Sequence, residues 1–179
     1  MTPISVEDEV EIRQPRSRVY AFISDHEHLP AWMAGVSRAS RTSPGPVGVG
    51  TRYRVVGRML GRRVESTYEL TAYEPDTMFS GRLTSPLFEV EETYRFDGDG
   101  STTKVQLTAE AHPGEKLRLL GPVLALAMPR QVKADHRRLK TLLEARAGKA
   151  PAAARPKPQP PPSAEAGAGV EEQAPITEE

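Results

Sequence analysis

Residues 88–96, FEVEETYRF, alternate between apolar and polar side chains: Phe88, Val90, Tyr94 and Phe96 share one parity, and Glu89, Glu91, Thr93 and Arg95 the other. Glu92 stands in the apolar series. Either the strand is read one residue out of register, or Glu92 sits on a wet rim, or a carboxylate is held inside a hollow. In the last case it is a candidate general acid or base, and Glu92 is taken as the candidate catalytic residue. His26 and His28 flank Glu27 directly after Asp25, which invites a metal reading. Ligands on a helix recur at three or four residues, however, and no third ligand stands nearby, so no metal site is expected. Asp25 reads instead as the cap of a short helix. His112 and His136 are isolated and form no triad-like pattern. The chain contains no cysteine, which removes thiol nucleophiles, disulfides and cysteine-ligated zinc. GPVGVG at 45–50 has the composition of a phosphate loop but lies between a helix and a strand, the wrong context for that role. No cofactor is implied.

Lysine plus arginine number 24 and aspartate plus glutamate 24, so the balance gives no reason to expect a nucleic-acid partner. A chain of 179 residues suits one domain with an appendage. From residue 148 onward the composition turns to alanine, proline and glutamate with almost nothing to bury, so residues 1–147 are expected to fold and 148–179 to form a disordered tail. The N-terminal MTPISVEDEVEI has no signal-peptide pattern, and the expected location is cytoplasmic. The apolar run 117–128 is shorter than the roughly 20 residues a bilayer span needs. Followed by Arg130, Lys133, Arg137, Arg138 and Lys140, it has the character of a segment that lies on an anionic membrane surface, although a facing sheet would bury the same side chains. Nothing in the sequence sets an oligomeric state.

The elements that would position Glu92 follow from periodicity. Val6, Asp8, Val10 and Ile12 alternate with glutamates as a half-buried strand; Asp8 breaks its inward series and is expected to be exposed near the strand start. Pro15 opens a helix carrying Val19, Phe22 and Ile23, and HLPAWMAG forms a second, short helix with Leu29, Trp32 and Met33 buried. Alternating segments at 51–59, 62–73, 77–83, 87–96 and 102–111 are separated by short turns, which favour an antiparallel meander. From 115 to 146, Leu117, Leu120, Leu124, Met128, Val132, Leu139 and Leu142 recur as on a long amphipathic helix. Pro122 and Pro129 interrupt it, predicting a separate first turn near Gly121-Pro122.

This order resembles the START-like SRPBCC superfamily, in particular its polyketide cyclase/dehydratase-like branch. The residues that carry the likeness are Pro15 with VYAFISD (19–25), LPAWM (29–33), GVGT (48–51), YELTAYEP (68–75), YRFDGDGSTTKV (94–105) and RLKTLLEA (138–145). The resemblance implies an α+β helix-grip fold, a curved antiparallel sheet wrapped around a long C-terminal helix. Between them a cavity would accept a hydrophobic or amphipathic small molecule such as a lipid or polyketide-like compound. Carriers, sensors and cyclases share that fold without one catalytic motif, so function must come from the site.

Pairing the strands through their short turns, apolar parity inward, sets Tyr53, Tyr68, Arg82 and Phe88 side by side, with Leu70, Ser80 and Val90 in the next row beside Thr51. Glu92 follows in a row with Ala72, Met78 and Leu107, Tyr94 shares its parity, and Val55 and Ser66 flank the tyrosines on the other side. With Leu120 and Leu124 from the last helix, these residues make the expected ligand-binding set. A face mixing tyrosine, serine, arginine and glutamate with apolar residues suits a partly wet hollow better than a solid core. The expected role is therefore binding, as a carrier or sensor. The alternative is a cyclase or dehydratase in which Glu92, assisted by Tyr68, Tyr53 or Arg82, polarises a carbonyl or stabilises an enolate.

Overall fold

Two periodicities, near 2 and near 3.6, divide the chain as expected. The computed structural model describes residues 3–59, 61–98 and 100–147; the expected tail falls outside them. Strand β1 (Ile4–Ile12) is followed by α1 (Arg16–Ser24), a 3-10 turn (His26–His28), α2 (Leu29–Trp32) and β2 (Val36–Arg41). The meander comprises β3 (Arg52–Met59), β4 (Arg62–Glu74), β5 (Met78–Thr84), β6 (Phe88–Gly98) and β7 (Thr103–Pro113). A 3-10 segment (Glu115–Leu120) then gives way to α3 (Gly121–Ala147). The break near Gly121-Pro122 lies where expected: Pro122 falls in the first turn of α3, where its missing N–H costs nothing. Pro129 lies inside the helix.

All seven strands form one antiparallel sheet in the order β1-β7-β6-β5-β4-β3-β2. Together with α3 it forms the α+β helix-grip architecture. Strand β2 is an element the sequence reading lacked. Its VSRASR has little apolar alternation, and it forms as an edge partner of β3. The other edge is β1, paired with β7 so that Val6 faces Ala109 and Asp8 faces Leu107. Helix α3 packs on β1 and α2. Leu139 and Leu143 are buried there, and Gln14 Nε2 donates to the Leu143 carbonyl at 3.0 Å while Lys140 Nζ donates to the Glu11 carbonyl at 2.7 Å.

The register between β4 and β5 differs from expectation in a way that matters for the site. It shifts between Leu70 and Ala72, and Tyr68 pairs with Leu83 and Leu70 with Gly81, one residue away from the anticipated pairing of Tyr68 with Arg82. One slipped residue exchanges the faces of a strand. In β5 the buried positions are therefore Phe79 and Gly81, while Arg82 is exposed.

Candidate functional site

Between the inner face of the sheet, α2 and α3 lies a cavity of about 170 Å³. Ile23, Leu29, Met33, Phe79, Leu83 and Leu107 give it a largely apolar wall. A wider depression of about 400 Å³ opens on the outer face of the sheet, lined by Arg82, Glu91, Thr93 and Glu110. Water satisfies such a surface and no apolar wall shields it, so the inner cavity is the candidate site.

Strand β6 delivers its parity as read: Val90, Glu92 and Tyr94 all line the cavity, as do Val55 from β3 and Tyr68 from β4. Tyr53, Ser66 and Leu70 are buried on the same face of the sheet but do not line the cavity. Phe88 pairs with Pro113 at the end of β6 and is only half-buried. Leu120 and Leu124 are half-buried and do not reach the cavity; Met128 and Val132, further along α3, do.

The inward placements on β5, Met78 with Ser80 and Arg82, are corrected. Arg82 lies on the outer face, where its Nε donates to Glu91 at 3.0 Å and stands 3.6 Å from Glu89. Ser80 shares that face and hydrogen-bonds Thr93 at 2.8 Å. The cause is the β4–β5 register shift, which reversed β5 while leaving β6 unaffected. Asp8 is corrected in the opposite sense. Its carboxylate is only 17 % exposed and accepts from His136 Nδ1 at 2.6 Å, because α3 packs across β1 and covers it.

Glu92 is held in a cluster. Its Oε1 lies 3.9 Å from His26 Nε2. His26 is fully enclosed, with Nδ1 at 3.1 Å from the Ser24 carbonyl, a contact that requires the proton on Nδ1. The His26 ring sits 3.8 Å from that of Tyr68 and 5.0 Å from that of Tyr53. Tyr68 reaches toward Glu92 across Gly81, the cross-strand partner of Glu92, and a Cβ at that glycine would overlap the tyrosine ring. Burial, reinforced by the charge of Glu92, raises the Tyr68 phenol well above its ordinary pKa, and the same two causes raise Tyr94. Burial pushes Tyr53 up to about 12.

A second group of polar side chains stands on α2 and α3. Trp32, Asp135 and His136 all line the cavity. Asp135 is satisfied by the Ala34 N–H at 3.1 Å and by Gln131 Nε2 at 3.0 Å. Among the described residues, Trp32 Nε1, Tyr68 Oη and His136 Nε2 are buried without a hydrogen-bond partner. The sequence reading missed His26, Trp32 and His136 as lining residues. A signal for His136 existed: it falls in the stripe of Val132, Leu139 and Leu143, where a polar side chain has no reason to be solvated.

Outside the cavity, Leu119 is 95 %, Val123 63 % and Leu126 61 % exposed. Val123, Leu126, Arg130, Lys133 and Arg137 share one exposed face of α3. Among the described residues no helix is long and apolar enough to cross a membrane.

Many solved structures share this architecture. TTHA0849 from Thermus thermophilus superposes with a TM-score of 0.68 at 22 % identity, covering 80 % of this chain and 99 % of its own. The Zhui aromatase/cyclase from Streptomyces sp. R1128 gives 0.65 at 17 %, covering 80 % and 94 %. A START superfamily protein from Mycobacterium smegmatis gives 0.60 at 15 %, covering 81 % and 97 %. At these identities the likeness establishes the fold alone. No curated protein sequence matches the chain. The family model described as polyketide cyclase / dehydrase and lipid transport matches residues 3–144, and with the helix-grip cavity in place the chain belongs to that family.

Proposed function

We propose that this protein binds a hydrophobic or amphipathic small molecule in the inner cavity, as a carrier or sensor. The observation that carries the reading is the cavity itself, apolar-walled with a few polar atoms, at about 170 Å³. An engineered apolar cavity of about 150 Å³ binds benzene, so the volume favours a compact ring compound over a diacyl lipid. A polyketide-like ligand is consistent with that size and with the family's description. Native mass spectrometry after gentle extraction is expected to retain an apolar adduct, lost in Val90→Trp, which fills the cavity from β6. A wild-type protein with neither an adduct nor uptake of an aromatic probe would overturn the reading.

The second reading is enzymatic, favoured by the placement of Glu92 beside His26 Nε2 and Tyr68. A carboxylate there has a proton relay at hand, and Tyr68 supplies an O–H for a developing enolate. Arg82, on the other face, takes no part. Under this reading Glu92→Gln abolishes turnover and leaves ligand affinity nearly intact, whereas equal loss of both favours binding alone. Peripheral contact with an anionic membrane through the exposed face of α3 fits either role, since an apolar ligand partitions into lipid.

A further inference from the structure

We propose that His136, held by Asp8, is the receptor for a hydroxyl group on the bound molecule, so that the ligand is a neutral ring compound carrying an O–H. This deepens the binding reading and rests on it. Asp8 and His136 lie 128 residues apart and meet because α3 packs on β1. A carboxylate only accepts hydrogen bonds, so the 2.6 Å contact fixes the proton on Nδ1. In its neutral form the ring then keeps a lone pair on Nε2. That atom is buried, lacks a partner among the described residues and belongs to a side chain lining the cavity.

Trp32 supplies the complement. Its ring lies 6.2 Å from that of His136, and its Nε1–H, which can only donate, is likewise buried and without a partner among the described residues. An acceptor and a donor left over on two side chains of one cavity wall match a group that both donates and accepts, of which a hydroxyl is the simplest. A hydrocarbon satisfies neither atom, and a ketone or ether cannot donate to Nε2. An anionic ligand would meet the carboxylates of Glu92 and Asp135 on the same walls and Asp8 behind His136. The histidine–carboxylate pair is thus built to hold a neutral O–H, which a compact aromatic ring carries as a phenol.

The full chain is titrated with naphthalene, 2-methoxynaphthalene and 2-naphthol, which share a ring system and differ in the ability to donate. Binding of 2-naphthol about tenfold tighter than of 2-methoxynaphthalene is expected, the usual weight of one buried hydrogen bond. His136→Phe keeps a ring and should erase the preference while still binding naphthalene. Independently of that variant's folding, the Nε2 nitrogen resonance of wild-type His136 should move with 2-naphthol and stay put with 2-methoxynaphthalene. Equal affinity for all three probes would overturn the proposal and leave the cavity reading standing. A preference that survives His136→Phe, or an unmoved resonance, would assign the hydroxyl to another group and overturn it equally. Binding of none of the three would remove both the proposal and the reading beneath it.

Discussion

Replacing Gly81 with alanine tests the geometry that brings Tyr68 to Glu92. The Tyr68 ring crosses β5 directly over Gly81, where an added Cβ would overlap Oη and Cζ and stand 2.6 Å from Cε1. Tyrosine has only two side-chain torsions, and this one is 2 % exposed, so the ring cannot step aside without leaving its packing against His26. Overpacking of this kind costs about 1–3 kcal/mol. For a protein of this size each kcal/mol lowers Tm by about 2–4 °C. A strand glycine not so overlaid should instead gain slightly from alanine. The decisive assay is a double-mutant cycle by urea denaturation. In a Tyr68→Leu background the shorter side chain clears Gly81, and the cost of Gly81→Ala should fall to within about 0.5 kcal/mol of zero. An identical cost in both backgrounds would show that the tyrosine does not lie over the glycine, and the cluster of Tyr68, His26 and Glu92 would have to be abandoned.

Three further outcomes are expected. Glu144 accepts from the Arg13 N–H at 2.9 Å and from its guanidinium at 3.1 Å, which holds its carboxyl below the usual range. Its stabilisation is present above the unfolded carboxyl pKa and lost as pH falls through the folded one, so Glu144→Gln should cost about 1 kcal/mol at neutral pH and converge with wild type in acid; a constant gap across pH would contradict this. Tyr20, Tyr53, Tyr68 and Tyr94 all have phenols raised chiefly by burial. That contribution is intact below the unfolded tyrosine pKa and lost as pH rises beyond it, so an ultraviolet titration should show these phenols ionising together with alkaline unfolding, and ionisation in the folded protein near the ordinary value would contradict the burial. Flotation with anionic liposomes should require the exposed apolar face, with Leu126→Asp abolishing it and salt weakening it; binding indifferent to both would exclude docking through α3.

Much of the fold was legible because its signals are local. Period-two alternation gave the meander, and Pro122 marked the handover from the 3-10 segment to α3. Strand β2 was illegible, since VSRASR carries no alternating apolar face and exists as a strand only by pairing with β3. Within the site, β6 was read correctly because the inside of a strand follows from its own side chains. The reversal of β5 came from pairing Tyr68 with Arg82, one residue out of the register that the shift between Leu70 and Ala72 sets, although Phe79 and Leu83, alternating with Ser80 and Arg82, mark its inner face.

The sequence alone determined that Glu92 shares a face with Val90 and Tyr94, because consecutive side chains on one strand must alternate whatever lies around them. Only the tertiary structure decided what Glu92 faces, that Arg82 is outside, and that Asp8 meets His136 across 128 residues. Those outcomes depend on inter-strand register and on where a helix seats against a sheet, which are set by many weak contacts summed over the whole core and written in no single stretch of the chain.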